Sequence, residues 1–230
     1  MREAEKRHGV TARWIPDIVR NVGLGPAEQT LAWALAGRER GVVALGISGS
    51  EARFGSEPFR PFFEEARRQG LHRVAHAGEH AGPESIRAAL DDCDPERIGH
   101  GVRAVEDPAL VAELARPAMP LEVSPTSNVR LGVFSSIEAH SFDRLRRAGV
   151  PVSVNTDDPS FFATNLTREY LNLAKTFGYG TADLAGLSLA ALRHSFLPEA
   201  EKATLEARFR ERFAELGEPA PTGPVASTGG

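Results

Sequence analysis

Short runs of aliphatic and β-branched residues alternate along this chain with amphipathic stretches. Strand-like runs fall at residues 12–16, 42–47, 73–76, 97–100, 121–124 and 152–155. Their starts lie 24 to 31 residues apart, the length of one βα unit. Helical patterns at 26–38, 57–69, 83–92, 108–115 and 141–148 fill the intervals. Pro83 and Pro108 suit first helical turns, and Gly70 and Gly149 suit helix ends. Further helices are expected at 165–177, 181–195 and 198–216. The segment 217–230, rich in Pro, Gly and Ser, is expected to be disordered.

Regular alternation of strand and helix implies a parallel sheet covered by helices, either an open doubly wound sheet or a (β/α)8 barrel. The polar residues decide between them. They fall at the C-terminal end of nearly every strand: Asp17, Ser48, His76 with Glu79, His100, residues 124–128, and Asp157 with Asp158. A barrel draws catalytic groups from the ends of many strands, whereas an open sheet gathers its site at one switch point. The expected fold is therefore α/β, a (β/α)8 TIM-type barrel with about six of its eight strands, forming one domain over 1–216. Residues 2–8 read as a helix end feeding straight into a strand. Two βα units are therefore expected to be missing before Met1; the favoured explanation is an internal methionine of a longer gene, the others being a true fragment with a degraded site and strands supplied by another polypeptide.

Composition narrows the function classes. The chain has 230 residues, 41% hydrophobic and 25% charged, with a net charge of −4. That balance is ordinary for a globular domain and offers no basic face for nucleic acid. No stretch approaches the roughly 20 apolar residues of a membrane span. The opening MREAEKRHG lacks the apolar core of a signal peptide. A cytoplasmic location, no membrane and no nucleic-acid partner are expected, while the oligomeric state is left open. Cys93 is the single cysteine, so an internal disulfide and a multi-cysteine zinc site are both excluded.

Three motifs carry chemistry. His76-Ala77-Gly78-Glu79 ends a strand with an imidazole able to hold zinc and a carboxylate able to shuttle a proton; a core histidine beside a solvated glutamate would read the same way. His100 stands between Gly99 and Gly101, or is incidental to a tight βα turn. Asn155-Thr156-Asp157-Asp158-Pro159 sets two carboxylates side by side, which repel unless a cation or donor neutralises one; aspartate before proline is also good helix-cap chemistry. Two further motifs, Ser124 to Asn128 and Ser48-Gly49-Ser50-Glu51, end other strands, and each could be a plain turn. Gly49 would let a flat ligand approach the backbone.

In this order, HAGE, then GHG, then a serine-rich loop, then NTDDP, the motifs resemble the adenosine deaminase family over about residues 11–196. The resemblance implies an amidohydrolase-like barrel that deaminates a 6-aminopurine nucleoside, adenosine to inosine plus ammonia, through a zinc-activated water. It implies one zinc per chain, with His76 and Asp157 among its ligands. It casts Glu79 as the acid that protonates purine N1, and His100 as the residue that orients the attacking water. Asp158 would face N7, and the Gly49 N–H would donate to N3.

The chain departs from the family in two places. It has no H-x-H, so two of the family's zinc ligands are absent from this sequence. His72 and His76 cannot replace them, because four residues along a strand separate them by roughly 13 Å. The segment GISGSEARFGSEPF at 46–59 differs from the family's AGDE wording and adds Phe54 and Phe59. Alternatives are therefore deamination of aminodeoxyfutalosine or adenine, or a truncated and inactive relic.

Overall fold

The computed structural model describes residues 2–116 and 118–217, and the rest of the expected disordered segment, 218–230, lies outside them. The chain clusters into two units. One comprises the residues up to His76 together with Arg87–Glu96; the other comprises Ala77–Ile86 and the residues from Arg97 on.

The first unit opens on α1 (Arg2–His8) and carries β1 (Asp17–Val19), α2 (Leu24–Ala36), β2 (Ala44–Ser48), α3 (Arg60–Arg68) and most of β3 (His72–Ala77). It also holds the C-terminal part of α4 (Pro83–Cys93). Its strands are parallel and follow chain order, with Asp17 opposite Gly46, Val19 opposite Ser48, and Gly46 opposite Val74. Because side chains alternate between sheet faces, Asp17, Gly46, Ser48, Val74 and His76 share one face. Ile18, Ile47 and Ala75 occupy the opposite face and are fully buried.

The second unit carries β4 (Arg97–His100), α5 (Pro108–Ala115), β5 (Leu121–Val123), α6 (Pro125–Arg130), α7 (Phe142–Arg147) and β6 (Val152–Val154). Four helices follow: α8 (Pro159–Phe162), α9 (Leu166–Phe177), α10 (Thr181–Arg193) and α11 (Glu199–Glu215). The strands are again parallel in chain order, Ile98 pairing with Leu121 and Leu121 with Val152. Its core gathers Ile98, Leu110, Leu121, Val123, Phe142, Leu145 and Leu173, all fully buried. Two caps set helix starts as their sequence suggests. The Asp107 carboxylate accepts from the N–H groups of Ala109 and Leu110, and Asn165 accepts from Arg168.

Two expectations need correction. The first strand is Asp17–Val19, not 12–16; Trp14 makes only an isolated bridge to Val42. Pro16 has no N–H to give a ladder, so regular pairing starts after it. Asp17 thus opens the strand instead of following it. The serine-rich segment is not a loop: Pro125 fills the first turn of the short helix α6, which buries Ser127 and Asn128. The short helix α8 does start after Asp158, as aspartate before proline suggested.

Candidate active site

Within the second unit, the segment after β3 is bent by Gly78, whose φ is +69°. A Cβ at this position would lie 2.6 Å from Ile86 Cγ1 and closer still to Cδ1, so only glycine fits. The Gly78 N–H donates to Ser85 Oγ at 2.8 Å, and its carbonyl accepts from the Arg103 N–H at 2.9 Å. Arg103 Nη1 holds the His80 carbonyl at 2.8 Å. Glu79 is fixed between these anchors with its side chain 13% exposed.

His100 ends β4 with φ +64° and is 3% exposed. Gly101 follows at φ +65°, where a Cβ would meet Leu121 Cδ2 at 2.7 Å. Asp157 follows β6 with φ +55°. Its Oδ2 accepts a 2.6 Å hydrogen bond from Ser127 Oγ, a residue with no exposure. His100 Nε2 stands 4.0 Å from Asp157 Oδ2, and His100 Nδ1 stands 3.5 Å from Glu79 Oε1. One donor atom from each of Glu79, His100 and Asp157 lies within 4.8 Å of the others. These three residues, nominated separately by sequence, therefore converge. Asp158 occupies the N-cap of α8 and is exposed, yet its side chain makes no capping hydrogen bond. Capping therefore does not account for it.

Asn128 joins the cluster from α6. Its Nδ2 lies 3.0 Å from Glu79 Oε1 and 3.1 Å from His100 Nδ1. Behind it sits buried His140, with Nε2 at 3.2 Å from Asn128 Oδ1. Burial, aided by Arg144, pushes the His140 pKa down to about 3. Sequence reasoning singled out the 124–128 segment but neither Asn128 individually nor His140. The only local signal for His140 was a histidine just ahead of a helical stretch.

His76 and Gly49 belong to the first unit. The His76 carbonyl accepts from Arg20 Nη2 at 2.8 Å. Asp17 lies on the same face, and burial raises its pKa against the opposing pull of His76, Ser48 and Arg20. Gly49 has φ +97°, and a Cβ there would collide with Asn21 Oδ1. The same Asn21 Oδ1 accepts from the Ser50 N–H at 2.7 Å and pins the turn.

The family model described as adenosine deaminase matches residues 1–211. The chain belongs to the adenosine deaminase family. It is 41% identical to the aminodeoxyfutalosine deaminase of Streptomyces coelicolor over 88% of this chain and 53% of that one. Against the adenine deaminase of Chelativorans sp. the identity is 39%, over 91% of this chain and 65% of the relative. An amidohydrolase from Burkholderia ambifaria, solved with bound zinc, superposes with a TM-score of 0.87 at 28% identity. That match covers 94% of this chain and 61% of the other. The chain thus spans between about half and two thirds of the length of these relatives. The fold is α/β, the amidohydrolase-like barrel, with six strands among the described residues. Among the described residues no helix is long and apolar enough to cross a membrane.

Proposed function

We propose that this chain carries much of the catalytic site of a zinc-dependent deaminase acting on a 6-aminopurine, with adenosine as the reference substrate. The observation that carries the reading is the convergence of Glu79, His100 and Asp157 within 4.8 Å. The oxygen and imidazole donors of this chain are the types zinc prefers, and Asp157 is already steadied by Ser127. His76 and Asp157 would hold the ion. Zinc, when bound, supplies the lowered water pKa, from about 15.7 toward about 7, that hydrolysis at neutral pH requires.

The chain's own residues do the remaining work. Glu79 gives a proton to purine N1, which neutralises the charge that develops on the ring as water adds at C6. His100 orients the attacking water. Asp158 faces N7, and the Gly49 N–H donates to N3. Ammonia leaves and the 6-oxo product remains.

Aminodeoxyfutalosine and adenine are the second reading of the substrate. The names of two relatives and the altered 46–59 segment favour them. The test compares adenosine, adenine and aminodeoxyfutalosine as substrates of the chain extended upstream through an H-x-H strand, with ammonia release and zinc content both measured. One substrate is expected to turn over, and Glu79→Gln is expected to abolish turnover while zinc is retained. Full turnover by Glu79→Gln, or no turnover of any of the three, overturns the reading.

A further inference from the structure

The hydrogens around Asn128 can be assigned from one unambiguous donor. The backbone N–H of Phe142 points at His140 Nδ1 at 3.0 Å, so Nδ1 must accept. A backbone N–H cannot act otherwise. His140 is buried and neutral, so its single ring proton is on Nε2. That proton goes to Asn128 Oδ1 at 3.2 Å. The Asn128 amide is thereby oriented, with its oxygen toward His140 and its nitrogen toward the cluster. An amide NH2 has two hydrogens. One reaches Glu79 Oε1 at 3.0 Å and the other reaches His100 Nδ1 at 3.1 Å. His100 Nδ1 is therefore an acceptor, which leaves Nε2, the nitrogen 4.0 Å from Asp157 Oδ2, to carry the ring proton.

We propose that Asn128, oriented by His140, is a positioning residue that locks His100 in its Nε2–H tautomer. This rests on the reading of His100 given above. The Nε2–H is the donor a water-orienting imidazole needs on the side of Asp157. Glu79 is engaged at both oxygens, Oε1 by Asn128 and Oε2 by His80 Nδ1 at 3.1 Å. One amide thus sets which nitrogen of His100 carries the proton, and a backbone N–H of α7 sets the amide.

The experiment is long-range proton–nitrogen NMR of the chain labelled with 15N at histidine. His100 and His140 are both expected to show an acceptor-type Nδ1 and a protonated Nε2. In Asn128→Asp, the carboxylate can still accept from His140 but can only accept from His100. The His100 proton is then expected to move to Nδ1, while His140 keeps its pattern as an internal control of folding. Turnover of the upstream-extended chain is expected to fall about 10- to 100-fold with zinc content unchanged. A wild-type His100 protonated on Nδ1 overturns the proposal, as does an Asn128→Asp spectrum with His100 unchanged. The wild-type spectrum alone decides the tautomer if the variant does not fold. Correct tautomers in a chain that deaminates nothing would instead count against the deaminase reading.

Discussion

Gly78→Ala is a sharp test of how the segment bearing Glu79 is held. Two separate costs add at this position. The backbone is left-handed at φ +69°, which costs an alanine roughly 1–2 kcal/mol. The new Cβ would also fall 2.6 Å from Ile86 Cγ1, and relieving such overpacking typically costs about 1–3 kcal/mol. The sum is about 2–5 kcal/mol, a large share of the ~5–15 kcal/mol that holds a domain folded. The second part belongs to Ile86 and can be removed separately. Ile86→Ala alone should cost about 2–5 kcal/mol, because the side chain has no exposure. In the double variant the overlap vanishes and the added methyl fills part of the hole, so its cost should fall short of the sum by at least about 1 kcal/mol. Denaturant midpoints of the four proteins at constant slope measure this. Additivity within about 0.5 kcal/mol would refute the steric argument, and a Gly78→Ala cost under about 1 kcal/mol would refute both parts.

Three other outcomes are expected. Ser127→Ala removes the 2.6 Å hydrogen bond to Asp157 Oδ2 and should weaken zinc retention about 10- to 100-fold, read by chelator competition; equal affinity in both proteins would show that the contact positions nothing. The His140 pKa near 3 lies below its ordinary 6.5, so the unfolded chain binds that proton first as pH falls. Stability from His140 is therefore intact above about pH 6.5 and lost progressively toward about pH 3, by a few kcal/mol in all; His140→Gln should flatten the stability-versus-pH curve there, and an unchanged slope would contradict the assignment. Asp157→Asn keeps an acceptor for Ser127 and a residue tolerant of left-handed backbone, so stability should shift by less than about 1 kcal/mol while bound zinc drops sharply; zinc retained at the wild-type level would remove Asp157 from the ligand set.

Much of the fold was legible because strand position, polar strand ends and helix caps are local signals. Pro108 behind Asp107, and Asn165 ahead of α9, mark helix starts that need only neighbouring residues. The errors arose where local signals mislead. Residues 12–16 have a strand-like composition, yet Pro16 postpones the ladder to Asp17. The 125–130 segment is rich in Ser, Thr and Asn, residues that favour turns over helix interiors, and it still closes a helical turn after Pro125. In the site, Glu79, His100 and Asp157 could be named from their motifs because each ends or follows a strand. Asn128 and His140 could not be paired, since a contact across 12 residues between a helix and a loop leaves no periodic trace.

Two of the converging residues share a property that local preference opposes. His100 and Asp157 are both non-glycine residues in the left-handed region, at φ +64° and +55°. Each position would be more comfortable as glycine, by roughly 1–2 kcal/mol. Gly101, which directly follows His100, itself sits at φ +65°. Strain of this kind persists only where surrounding contacts over-determine it. Those contacts are present here as the Ser127–Asp157 and Asn128–His100 hydrogen bonds. An imidazole and a carboxylate held at uncomfortable backbone angles, each locked by a buried polar partner, are arranged for what lies between them. Local backbone comfort would have chosen neither.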